Sequence, residues 1–104
     1  MLYMVYGIDK PNALHIRDGA REEHFQYLDR NANIMVLGGA ALTDDGAGRT
    51  GSVLIINVPG RAEADKFADN EPFYKAGLFE KRTVTRMRRG QWNPQNAPKT
   101  AEGN

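Results

Sequence analysis

Residues 2–9 read Leu-Tyr-Met-Val-Tyr-Gly-Ile-Asp, an alternation that is apolar on both faces. In a strand, Leu2, Met4, Tyr6 and Ile8 share one face, and Tyr3, Val5, Gly7 and Asp9 the other. Such a strand needs cover from two sides. A chain of 104 residues is one domain, with helices enough for one side of a sheet. The second face would be bare in a monomer, and a bare apolar face marks an interface.

The rest of the chain supplies the partners. Pro11-Asn12 ends the first strand. Residues 12–33 read as helical with a weak point at Asp18-Gly19, which could cap a helix over about Ala20 to Asn31 and leave 12–17 as a preceding turn. On it His24, Phe25 and Leu28 lie close together and face inward, while Glu22, Glu23, Gln26, Asp29 and Arg30 take the other side. A second strand is expected over 34–42, where Gly38-Gly39 marks a bulge or a close approach. Asp44-Asp45-Gly46 turns the chain into a third strand over 50–58, with Ser52, Leu54, Ile56 and Val58 on one face. Pro59-Gly60 stops it, and 61–70 is a short helix with Ala64, Phe67 and Ala68 inward. Glu71 is placed to cap a turn over 72–78, because Pro72 disfavours helix in the residue before it. The stretch 79–89 returns as a basic strand, read as a solvated edge carrying Lys81, Arg82, Arg86, Arg88 and Arg89 that could also help attract anionic substrates. Residues 91–104 are expected as a C-terminal tail beyond a domain over 1–90.

The order β-α-β-β-α-β is the split βαβ pattern of an α+β, ferredoxin-like domain. Two such sheets packed face to face would make a homodimer closed into an α/β barrel.

Several function classes drop out. There is no cysteine, so neither disulfides nor thiolate metal sites are expected. Two histidines lack HxH or HExxH spacing, so no metal is expected. The net charge of +1 gives no footprint for nucleic acid. The glycines form no phosphate loop. No apolar run is long enough for a membrane span, and residues 1–10 do not read as a signal peptide. The expected setting is cytoplasmic.

A few residues could carry chemistry. His24 lies on the inward side of its helix, where an imidazole could act as a general base; the plain alternative is a packed or solvated histidine. His15 reads as a surface residue. In Asp69-Asn70-Glu71-Pro72, a carboxylate could orient an imidazole; the alternative for Glu71 is N-capping alone. If the first helix ran unbroken from Asn12, Arg17 and Arg21 would share the stripe of His24, because seven residues make about two turns. Arg17 could then bind an oxyanion, or could pair on the surface with Asp18 or Glu22. Asp9 could pair with Arg17 or cap a turn. Ser52 could donate to a substrate oxygen or be a tolerated polar strand residue.

Together these residues resemble the YCII-related family over positions 1 to about 89. The resemblance rests on the opening strand, on Arg21-Glu22-Glu23-His24, on Leu37-Gly38-Gly39 and on Thr50-Gly51-Ser52-Val53. It continues in Asn70-Glu71-Pro72-Phe73 and Ala76-Gly77-Leu78-Phe79. It implies a dimeric α+β barrel with a histidine–carboxylate dyad. The histidine maps onto His24 and the carboxylate, commonly aspartate in the family, onto Glu71, with Asp69 in reserve. A branch that dehydrochlorinates chlorinated hydroxyhydroquinones implies further roles. Pro72 would orient the dyad, Arg17 and Ser52 would form an oxyanion site, and Asp9 would support Arg17.

The expected function is therefore a cofactor-free enzyme that abstracts a proton from a small oxygenated ring compound, by elimination or isomerisation. The alternatives are a dimeric ligand-binding or regulatory module without turnover, and a monooxygenase-like barrel acting on quinols.

Overall fold

The opening strand lies in the middle of the sheet, as its two apolar faces require. In the computed structural model, which describes residues 1–103, β1 (Leu2–Asp9) pairs antiparallel with β3 (Arg49–Asn57) on one side and β4 (Phe79–Met87) on the other. β2 (Met35–Leu42) pairs antiparallel with β3 and completes the order β2-β3-β1-β4. The helices are α1 (Leu14–Arg30), α2 (Arg61–Asp69) and the single turn α3 (Pro72–Lys75). This is the ferredoxin-like α+β fold expected from the element order. The shortest dimension is 23 Å, which matches one sheet and one helix layer of roughly 10–12 Å each.

The helices cover the face that carries Tyr3, Val5, Leu54, Ile56 and Val58, all buried. These side chains pack with Ala64, Phe67 and Ala68 of α2 as one apolar cluster. Ala13, Ala20, Phe73 and Leu78 form a second cluster at the other end of α1. On the opposite sheet face, Leu2, Met4, Tyr6, Val53 and Ile55 are half-buried, while Leu37 is exposed.

Three expectations need correction. First, α1 starts at Leu14, not near Ala20. Asp18 does not cap it: the carboxylate accepts from Arg21 Nη2 at 2.5 Å on the surface. The helix opens instead at Ala13, whose carbonyl accepts from the N–H groups of Ile16 at 3.0 Å and Arg17 at 3.1 Å. Asn12, at φ 56, makes the turn out of β1, a left-handed conformation that asparagine tolerates. Gly19 inside the helix costs about 1 kcal/mol relative to alanine. The stripe Ala13, Arg17, Ala20, His24, buried at helical spacing, offsets that cost. Second, Phe25 faces outward and is 56% exposed, because it stands about 100° beyond His24 on the helix. Third, the edge strand β4 is not solvated throughout: Arg82 is only 15% exposed in its side chain.

In β2, Gly38 marks a close approach rather than a bulge. A Cβ on Gly38 would stand 3.0 Å from Leu54 Cδ2, whereas Gly39 faces open space, and the register shifts fall on either side of the pair, between Met35 and Leu37 and between Ala41 and Leu42. Beyond Met87 the described residues are exposed, with one 3-10 turn at Pro94–Asn96. The last residue of the expected tail, Asn104, lies outside the described residues.

Gly7 is the tightest point of the sheet's covered face. A Cβ there would lie 2.6 Å from the ring of Phe79. Gly7→Ala is expected to cost about 1–3 kcal/mol, measured as a lower urea midpoint at unchanged slope. The same substitution made in a Phe79→Ala background should cost far less.

Candidate active site

Four charged or polar residues are buried among the described residues: Arg17, His24, Ser52 and Glu71. They fall where the two apolar clusters fail to join. Arg17 and His24 both touch the ring of Phe73 in the smaller cluster. Ser52 shares its sheet face with Leu54 of the larger one.

Glu71 is set by local chemistry. Its backbone is extended, at φ -69 and ψ 128, as Pro72 requires of its predecessor. Pro72 occupies the first helical position of α3, where no N–H is needed. Glu71 Oε2 then accepts the N–H of Tyr74 at 3.2 Å, an N-cap bond. That leaves Oε1 free to meet Nδ1 of His24, and the two are in direct contact. The His24 ring is held by stacking on Phe73, with centroids 3.9 Å apart and planes 15° from parallel. An ionised carboxylate only accepts, so the contact assigns the proton to Nδ1. In the neutral ring Nε2 then carries the lone pair, and it makes no hydrogen bond among the described residues.

Arg17 is fixed by a fork. Its Nε and Nη2 donate to the two oxygens of Asp9, both at 2.9 Å. Nη2 donates also to the carbonyl of Gly51, at 3.1 Å. The guanidinium carbon lies 4.7 Å from the centroid of the Phe73 ring. Of the five guanidinium N–H groups, the two on Nη1 remain uncommitted. Arg17 therefore pairs with Asp9, not with Asp18 or Glu22. Arg21 makes the surface pair with Asp18 instead.

Ser52 is 6% exposed, and its hydroxyl makes no hydrogen bond among the described residues. The one sealed side-chain nitrogen or oxygen lacking a partner among those residues is Arg82 Nε. His24 Nε2 and Ser52 Oγ thus keep some open surface. Asp69, the reserve carboxylate, is turned away from His24: its Oδ1 accepts from Arg82 Nη1 at 3.0 Å. His15 is exposed, as expected.

Burial, and then the negative charge of Glu71, raise the pKa of the Tyr27 phenol above 10.0. The hydroxyl donates to the carbonyl of Phe67 at 2.9 Å. Among the described residues no cluster of three or more histidine, cysteine or acidic side chains is placed to hold a metal. None of their helices is long and apolar enough to cross a membrane.

The YCII-related domain profile matches residues 1–88. The chain belongs to the YCII-related family. Among curated relatives, the protein YciI of Escherichia coli is 31% identical over 87 residues, which are 77% of this chain and 89% of that protein. YciI of Shigella flexneri matches to the same extent. Among solved structures, the 5-chloro-2-hydroxyhydroquinone dehydrochlorinase of Burkholderia phenoliruptrix, in complex with 2,5-dihydroxybenzoquinone, superposes with a TM-score of 0.79. It is 34% identical, and the match covers 86% of this chain and 96% of the dehydrochlorinase.

Sequence reasoning placed Arg82 in a basic strand that could attract anionic substrates, but did not set it beside this site. The available signal was its place in β4, two residues before Val84 and so on the same face as an apolar side chain.

Asp9 and Arg17 are respectively 10% and 4% exposed in their side chains. Removing one partner of such a pair leaves a buried charge unmatched. Asp9→Asn should cost about 3–5 kcal/mol in denaturant unfolding. The double replacement Asp9→Leu/Arg17→Met should cost less than that single change.

Proposed function

We propose that this YCII-related protein is a cofactor-free enzyme that removes a proton from a small oxygenated ring compound and drives elimination or isomerisation. The observation that carries the reading is the buried contact of His24 Nδ1 with Glu71 Oε1, which leaves Nε2 uncommitted. In the elimination, Nε2 takes the proton of a ring hydroxyl or activated carbon. From a carbon the released electron pair forms a new ring double bond; from a hydroxyl it forms a carbonyl, and the displaced ring π pair forms the double bond to the carbon that loses the halide. A halide departs with its bonding electrons, so the substrate loses one proton and one halide ion. Glu71 stabilises the imidazolium that results, and Tyr74 N–H together with Pro72 keeps Glu71 in place. The free N–H groups of Arg17 and the Ser52 hydroxyl stabilise the oxyanion, and Asp9 holds Arg17. In the isomerisation, His24 returns the proton to a different atom.

The likeness to a dehydrochlorinase supports this reaction class, and its complex with 2,5-dihydroxybenzoquinone makes that hydroxyquinone a binding probe here. A chain without cysteine suits the reducing cytoplasm, where we place it.

The assay follows the ultraviolet–visible spectra of halogenated and plain hydroxyhydroquinones and of unsaturated lactones, with an oxygen electrode in the cell. Conversion without oxygen uptake is expected, and His24→Ala should slow it roughly 10²–10⁴-fold. If wild-type protein converts none of them, the enzyme reading fails and a binding module replaces it. Oxygen consumption matched to turnover points to a monooxygenase instead.

The reading includes a homodimer. The open sheet face carries Leu2, Met4, Tyr6, Leu37, Val53 and Ile55. A second copy about a two-fold axis meets that face with itself. Light scattering should give the mass of two chains, and Ile55→Glu should shift it toward one. A wild-type mass of one chain overturns the dimer.

A further inference from the structure

Arg82 is the group beside the site that the proposed reaction leaves unused. In the sheet register Gly7 stands opposite Ser52 on β3 and opposite Arg82 on β4. Directly opposed residues share a sheet face, so Ser52 and Arg82 flank a position with no side chain. The Phe79 ring stands over that position, and a small cavity of ≈ 10 Å³ beside the ring is lined by Gly7, Ser52, Glu71, Tyr74 and Arg82 together with apolar Val5, Leu54 and Ala68. It has room for about one oxygen-sized group.

The guanidinium is held from the outer side. Its carbon lies 3.9 Å from the centroid of the Tyr74 ring, and Nη1 donates to Asp69 Oδ1 at 3.0 Å. Nε, however, is sealed and unbonded, alone in this among the described residues. A buried N–H left without an acceptor is unfavourable, and each such group calls for a reason. Ser52 offers a second unbonded donor on the same rung. Glu71 also borders the cavity, and its charge opposes an anion. Both its oxygens already accept bonds, from His24 and from Tyr74 N–H. The donors left over are those of Arg82 and Ser52.

We propose that Arg82 is a ligand-recognition residue. Its Nε, with the Ser52 hydroxyl, binds an anionic oxygen of the substrate, the phenolate or enolate of an acidic hydroxylated ring. The inference deepens the proposed function and rests on it for the position of the ring beside His24. Asp69 is 57% exposed in its side chain, so its pair with Arg82 contributes little. The guanidinium can therefore follow an arriving ligand, and Asp69 with Tyr74 keeps it poised.

The test is isothermal titration calorimetry at neutral pH, without oxygen, using two probes. One is 2,5-dihydroxybenzoquinone, whose hydroxyls are vinylogous acids and ionised. The other is 1,2,4-trihydroxybenzene, which is uncharged at that pH. Arg82→Met should weaken the quinone roughly 10- to 100-fold, as loss of a charge-assisted hydrogen bond does. It should leave the neutral probe within about twofold. Arg82→Lys keeps the charge without the Nε donor and should also weaken the quinone. It serves as the reading if the methionine variant does not fold. Wild-type affinity for the quinone in either folded variant means that Nε serves only an internal water, and overturns the proposal. So does wild-type protein that binds neither probe. The readout needs no turnover, so a failed reaction assay and a failed role for Arg82 are told apart.

Discussion

Arg17 reaches Asp9 with two parallel hydrogen bonds, and this fork sets where α1 lies on the sheet. Asp9 is the last residue of β1, and the third bond of Arg17 goes to Gly51 on β3. One side chain thus ties the first helix to two neighbouring strands. His24 stands seven residues further along α1, about two turns, and its ring inherits that placement. A buried ion pair contributes little net stability compared with a well-packed apolar pair. Its effect here is geometric. It fixes the helix that carries the imidazole and leaves one guanidinium nitrogen uncommitted.

Glu71 makes the second constraint, by serving two levels of structure with one carboxylate. One oxygen caps α3, a local interaction written in Glu71-Pro72 and the N–H of Tyr74. The other meets His24 across 47 residues of chain. Capping restricts the side chain before the histidine arrives, so little additional ordering is needed to form the contact. Phe73, the next residue but one, stacks on the same imidazole. The short segment 71–73 therefore supplies both the carboxylate and the aromatic support for His24. The core accommodates this polar group by dividing into two apolar clusters rather than closing over it.

The strands and their order were legible because the side-chain period is local. Residues 2–9, Pro59-Gly60 and Glu71-Pro72 each act on their neighbours in the chain. The start of α1 was not legible. Asp18-Gly19 is a good local start signal, but the helix extends back over it to Leu14 and places Arg17 against Asp9. Phe25 misled because a hydrophobic side chain beside His24 looks like core until the helix phase is known. Arg82 was read as one charge in a basic edge. Only the sheet register shows it opposite Gly7, with its Nε sealed.

From the sequence alone come the element order, the strand with two apolar faces, the cap at Glu71 and the residue types of the site. These follow from interactions within a few residues, which alternation, proline and capping rules describe. Which carboxylate meets His24, which acid holds Arg17 and which residues flank Gly7 were decided by the tertiary structure. Those contacts join segments 8 to 47 residues apart or depend on strand register. No local pattern encodes them, because they exist only once the sheet has brought β1, β3 and β4 side by side.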